Sequence, residues 1–172
     1  MILSTRGLTK TYSGVAANTD VDVDLPAGQT RAIIGPNGAG KSTFVGMICG
    51  GIPATRGSVS FDGQDVTALP AHKRIQRGMA YTFQITSVFP GLPVQENIAL
   101  AARRRLGRNK AAVRGKTDEI LTRLQITDRA GQLAGDLSYG HQRILEIGMG
   151  LAQEPRLLRV DEPAAGMTVE ER

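Results

Sequence analysis

The chain has one cysteine, no tryptophan, three tyrosines and four phenylalanines in 172 residues. A lone cysteine, Cys49, excludes an internal disulfide. Its apolar surroundings predict a small buried hydrophobe. So few aromatics leave little to stack bases along a single nucleic-acid strand. No run approaches the roughly 20 apolar residues of a membrane span. No signal-peptide pattern opens the chain, so a soluble cytosolic protein is expected. Hydrophobic residues make up 41% of the chain, enough for a packed core. The formal net charge is +5. Its densest run is Arg103-Arg104-Arg105, followed by Arg108, Lys110, Arg114 and Lys116. Nucleic acid, anionic lipid or water could each meet such a run. A solvated helix face is the expectation, and nucleic acid is not expected as a partner.

Residues 35–42 read Gly-Pro-Asn-Gly-Ala-Gly-Lys-Ser, a full G-x-x-x-x-G-K-[ST] phosphate loop. Glycines let the backbone wrap closely, so that successive N–H groups form an anion nest. Lys41 is expected to reach the β- and γ-phosphates, and the Ser42 hydroxyl to meet Mg²⁺. The candidate nucleotide-binding residues here are Gly35, Asn37, Gly38, Gly40, Lys41, Ser42 and Thr43. The flanks suit the motif. Thr30-Arg31-Ala32-Ile33-Ile34 predicts a buried strand entering the loop, and residues 43–48 predict a helix leaving it.

The chain reads as an α/β protein. Val21, Val23 and Leu25 alternate with Asp22 and Asp24, the period of a half-buried strand. Residues 58–61 predict a strand closed by an Asp62-Gly63 hairpin turn, and residues 79–83 another strand ending at Gln84. Residues 93–135 read mostly helical, with a second helix on Ile120, Leu121, Leu124 and Ile126. Residues 140–152 predict a helix, and residues 157–160 a buried strand ending at Asp161-Glu162. There is no internal repeat and no low-complexity tract.

Beyond the loop, an ordered series of segments follows: Thr82-Phe83-Gln84, Leu137-Ser138-Tyr139-Gly140-His141, Asp161-Glu162-Pro163 and Ala165-Gly166-Met167. With the phosphate loop, this order resembles the ATP-binding-cassette (ABC) ATPases over essentially the whole chain. Thr82–Gln84, Leu137–Gly140, Leu145-Glu146-Ile147-Gly148-Met149 and Glu162–Met167 look like the ATPase subunits of bacterial branched-chain amino-acid importers. The resemblance implies a P-loop cassette with a mixed or parallel sheet core, an antiparallel N-terminal β part and an inserted helical subdomain. The implied divisions are 1–83 for the β part and ATP-binding core, 84–152 for the glutamine loop and helical subdomain, and 153–172 for the return to the core.

The same resemblance implies roles for single residues. Asp161 would hold Mg²⁺ together with Ser42 and Gln84. Glu162 would polarise the attacking water, with Gln84 sensing metal and water. Tyr12 would stack on adenine, offering a flat π-face. Ser138, Tyr139, Gly140 and His141 would face the nucleotide held by a second subunit, in a head-to-tail dimer that encloses ATP. The implied activity is ATP hydrolysis that energises an importer of branched-chain or other amino acids; the alternatives are a chain that binds nucleotide without turning it over and a non-transport ABC ATPase acting on nucleic acid or ribosomes. The implied partners are a second ATPase subunit, membrane permease subunits and, indirectly, a substrate-binding protein, with the chain peripheral on the inner face of the cell membrane. Phe89, Pro90 and Leu92 are candidates for the permease contact.

Some residues depart from the family pattern. His141 stands where the family usually has Gln or Glu, and Thr168 where Asn or Asp is frequent. Arg159 lies in an otherwise apolar strand and must find a partner, reach solvent or destabilise the strand. Neither His72 nor His141 occupies the place of the family's switch histidine, whose strand is expected after Arg172. The resemblance therefore implies a chain without the C-terminal strands, poorly stable and nearly inactive by itself.

Overall fold

The computed structural model describes residues 1–81 and 87–160. Contacts divide the chain into two compact units, Met1–Met79 and Ala80–Arg172.

The first unit is built on an antiparallel sheet of order β2-β1-β3-β4. Its strands are β1 (Leu3–Tyr12), β2 (Val15–Leu25), β3 (Arg56–Phe61) and β4 (Gln64–Asp65). The alternating run of valines and aspartates falls on β2, where Leu25 is buried and Asp22 exposed. The Asp62-Gly63 turn joins β3 to β4 as expected. Asp62 and Gly63 have φ of 51° and 74°, the left-handed pair that a two-residue hairpin needs. Helix α1 (Lys41–Cys49) buries Phe44, Met47, Ile48 and Cys49, so the cysteine is the expected small hydrophobe. Leu8, Val59, Phe61 and Val66 are nearly or wholly inaccessible in the same unit. Truncating one such side chain costs roughly 2–5 kcal/mol.

The β1–β2 pairing is interrupted beside the hairpin end. Lys10 pairs with Asn18 and Thr11 with Ala16, so Ala17 is left as an extra residue in β2. Such a bulge turns the local backbone out of the ladder. Here it meets the phosphate loop, as described below.

The strand expected over Thr30–Ile34 does not form. These residues are exposed and lie outside every strand, with Ile34 90% exposed. An apolar β-branched run becomes a strand only when another strand takes up its N–H and C=O groups. Among the described residues none does so.

The second unit contains α3 (Val94–Leu106), α4 (Lys110–Arg123) and α5 (Tyr139–Ala152). Val94, Ile98, Ala102, Val113, Ile120 and Leu145 are part of its core. The predicted 140–152 helix is α5. The predicted second helix is the last part of a longer α4, which buries Val113, Thr117, Ile120 and Leu121 along one face. Leu124 caps that helix, and Ile126 lies beyond its end. Strands β5 (Met79–Tyr81) and β6 (Leu157–Arg159) pair with each other. The predicted burial of β6 is a correction: all of its residues are half-buried. Arg159 is among them and is not without an interaction partner.

Candidate functional site

The phosphate loop leads directly into α1. Gly40 is the N-cap, left-handed at φ 81°, and no side chain caps the helix. No acidic residue stands in the first turn. The first N–H groups therefore have neither an intrahelical partner nor a local anion. Gly38 is also left-handed, at φ 80°. Gly35, Asn37, Gly38 and Ser42 are exposed, and Gly40, Lys41 and Thr43 half-buried. Lys41 Nζ donates to the carbonyl oxygens of Gly35 at 2.7 Å and Pro36 at 2.8 Å. The loop thus curls around its own ammonium group.

Gly40 is fixed by space as well as by angle. A Cβ there would stand 2.2 Å from the Ala17 carbonyl oxygen and 2.8 Å from Asn18 Nδ2. The bulge in β2 is what brings that carbonyl against the loop. Asn18 Oδ1 is buried without a hydrogen-bond partner beside it. Tyr12 lies at the end of the same hairpin, paired with Val15 and 46% exposed. Lys10 Nζ is 4.9 Å from the centroid of its ring.

The far end of α1 is held by Arg74, a residue that sequence reading passed over. It is 2% exposed. Its guanidinium donates to the carbonyls of Met47 (2.8 Å), Ile48 (2.6 Å), Thr67 (2.8 Å) and Leu69 (2.9 Å). The planar fork of arginine suits this convergence of acceptors. It is the one buried residue of α2 (Ala71–Gln76), and no signal in the sequence set it apart from Lys73 beside it.

Ser138, Tyr139, Gly140 and His141 open α5 in the second unit. Ser138 Oγ accepts from the His141 backbone N–H at 3.2 Å, an N-cap bond. It also lies 2.8 Å from His141 Nδ1. Tyr139 is exposed and Gly140 buried. One turn on, Arg143 and Glu146 form a buried ion pair within α5.

Ahead of α3, the loop with the proposed permease contacts is pinned by Asn97, which sequence reading did not single out. Asn97 is fully buried. Its Oδ1 accepts from the Phe89 N–H at 2.8 Å, and its Nδ2 donates to the carbonyls of Phe89, Leu92 and Pro93. Phe89 and Pro90 remain exposed, while Leu92 is half-buried.

The basic run is partly paired with carboxylates on its own surface. Arg103 pairs with Glu96, Arg105 with Glu154, and Arg114 with Asp118. Lys116 reaches both Glu119 and Glu154. Hydrogen bonds from Lys116 and then Arg105 hold the Glu154 carboxyl below the usual carboxylate range. Those to Glu119 and Glu154 push Lys116 above the usual lysine range.

Gln84, Asp161 and Glu162, the expected metal and catalytic side chains, lie outside the described residues, as does Thr168. Among the described residues no group of three or more His, Cys, Asp or Glu side chains could hold a metal ion. None of their helices is long and apolar enough to cross a membrane. The described loop fits a nucleoside polyphosphate: an uncapped helix start, left-handed glycines and a lysine ammonium occupy one place.

Residues 18–165 match the family model described as ABC transporter. The BraF high-affinity branched-chain amino acid transport ATP-binding protein of Pseudomonas aeruginosa is 35% identical, over 99% of this chain and 72% of that protein. The LptB lipopolysaccharide export system ATP-binding protein of Haemophilus influenzae is 34% identical, over 96% and 69%. Among solved structures, the ATP-binding cassette MJ1267 of an ABC transporter superposes with a TM-score of 0.85 at 28% identity, covering 99% of this chain and 72% of that one. The cassette MJ0796, solved as a dimer in a post-hydrolysis state with ADP and Pi, gives 0.84 at 25%, covering 98% and 77%. With the phosphate loop, the α/β fold and the family match in agreement, the chain belongs to the ABC transporter family, as an ATPase cassette.

Proposed function

We propose that this chain is the ATP-hydrolysing subunit of an importer for branched-chain or other amino acids. The single observation that carries the ATP reading is the uncapped start of α1, wrapped by left-handed glycines and facing Lys41. Lys41 would exchange its loop carbonyls for β- and γ-phosphate oxygens, a stronger charge-assisted contact. The N–H groups of 38–43 would bind the same oxygens, and Ser42 with Asp161 and Gln84 would hold Mg²⁺, which supplies charge neutralisation at the transferring phosphate. Glu162 would orient the attacking water. Tyr12 would cover the adenine. Its hairpin end lies beside Ala17 and Asn18, and those residues touch Gly40.

The Ser138 turn would complete the nucleotide site of a second ATPase subunit, and ATP would close that dimer. The dimeric form of MJ0796 supports this arrangement. Phe89, presented by Asn97, would meet a permease subunit at the inner face of the membrane. Amino acid as cargo rests on the Leu137–Gly140 and Leu145–Met149 stretches and on the likeness to BraF. The likeness to LptB is nearly as strong, so the cargo needs its own test.

That test is ATP hydrolysis in proteoliposomes holding permease subunits and binding protein of the branched-chain class. Leucine-stimulated phosphate release, abolished by Glu162→Gln, is the expected outcome. Stimulation by another cargo class overturns the amino-acid reading and keeps the ATPase.

A second reading is favoured by one observation. Thr30–Ile34, which leads into the loop, is exposed and outside any sheet. A loop without that support would bind nucleotide yet not hold it in line for water. ATP bound by the purified chain with no phosphate released would select this reading.

A further inference from the structure

We propose that Lys10 is a positioning residue for the base of the nucleotide, gripping one face of the Tyr12 ring so that the other face is set for stacking. This rests on the reading of Tyr12 as the adenine platform.

Residues 10 and 12 are two apart on β1, so their side chains share a face of the strand. Lys10 Nζ stands 4.9 Å from the Tyr12 ring centroid, within cation–π reach. The same ammonium donates to the Pro53 carbonyl at 2.8 Å. Pro53 belongs to the turn that follows α1, where Gly51 N and Ile52 N both donate to Gly46 O. Lys10 therefore ties the ring to the tail of the helix whose head carries the phosphate loop.

An exposed tyrosine at a hairpin end would otherwise lose rotamer freedom when a base stacks on it. A cation on one face limits that loss in advance. It also draws π density toward itself, which makes the opposite face a better surface for an electron-rich purine.

The test compares ATP with inorganic tripolyphosphate by titration calorimetry on the full chain. Lys10→Met is expected to weaken ATP about threefold and leave tripolyphosphate unchanged, the size of an exposed cation–π contact. Lys10→Arg should restore ATP affinity, because a guanidinium also stacks on a ring and donates to a carbonyl. Unchanged tripolyphosphate affinity reports an intact phosphate loop in each variant. Tyr12→Ala serves as the reference and should weaken ATP about tenfold, again without touching tripolyphosphate. If Tyr12→Ala weakens ATP and Lys10→Met does not, the role of Lys10 is overturned and that of Tyr12 stands. If Tyr12→Ala leaves ATP binding unchanged, the platform reading falls, and the role of Lys10 with it. Equal weakening of both ligands by Lys10→Met would assign Lys10 to the loop and overturn the proposal.

Discussion

Helices α1 and α5 carry the two best-marked motifs, and they are fastened in opposite ways. Helix α1 is held at its C-terminal end, where Arg74 gathers the Met47 and Ile48 carbonyls, and its N-terminal end has no side-chain cap. Helix α5 is fastened at both ends. Ser138 caps its start. Beyond its other end, Gln153 accepts from Arg104, and Glu154 meets Arg105 and Lys116. An open helix start is a weakness for folding and an opportunity for an anion. The comparison teaches that α1 keeps its orphan donors for a ligand by anchoring elsewhere, whereas α5 has one of its own, the His141 N–H, taken up by Ser138.

The largest expected effect comes from cutting the α1 anchor. Arg74→Met removes the guanidinium bonds to four carbonyls, the buried Ile48 carbonyl among them, and should cost about 3 kcal/mol or more of stability. Urea unfolding measures it. A loss under 1 kcal/mol would mean that α1 does not depend on this anchor. Next comes the open end. Gly40→Ala drives a methyl against the Ala17 carbonyl and strains a left-handed position. ATP affinity should fall at least tenfold, with roughly 1–3 kcal/mol of stability lost. Retained ATP affinity would show that loop and bulge can separate without harm.

The two capped helices sharpen the contrast. Ser138→Ala and Asn109→Ala each remove an N-cap acceptor, whose N–H donors belong to His141 and Ala112. Each should cost about 1 kcal/mol in thermal unfolding. Only Ser138→Ala should also lower ATP hydrolysis in the assembled transporter. Equal activity in both variants would reduce Ser138 to a cap. The smallest effect lies at the far end of α5. Hydrogen bonds from Lys116 and then Arg105 hold the folded carboxyl of Glu154 below the usual carboxylate range. Its contribution is therefore present above the pKa of the unfolded carboxyl and lost as pH falls through the lower folded one. Melting temperatures between pH 3 and 6 should decline less steeply for Glu154→Gln than for the parent chain. Parallel curves would remove Glu154 from the acid response.

Much of this was legible in the sequence because local chemistry decided it. The Asp62-Gly63 turn, the phosphate loop and α5 each depend on neighbours a few residues away. Thr30–Ile34 misled for the opposite reason: a strand is a property of two segments, and its sequence describes only one. The length of α4 was obscured because residues 110–119 carry few strong apolar markers, and the burial of Thr117 shows only in the packed helix. Arg74 and Asn97 escaped notice because their partners are backbone carbonyls and N–H groups, which leave no side-chain signature. Tyr12 drew attention through resemblance alone. Lys10, two residues from Tyr12, carried no signal until the ring contact was seen.

Asn97 has a mechanical consequence. Its amide is fastened to Phe89, Leu92 and Pro93 together, and it belongs to α3 itself. A loop held by one flexible bond would take up slack before passing on a displacement. This one has almost none, so Phe89 travels with the helix as the tooth of a gear travels with its shaft.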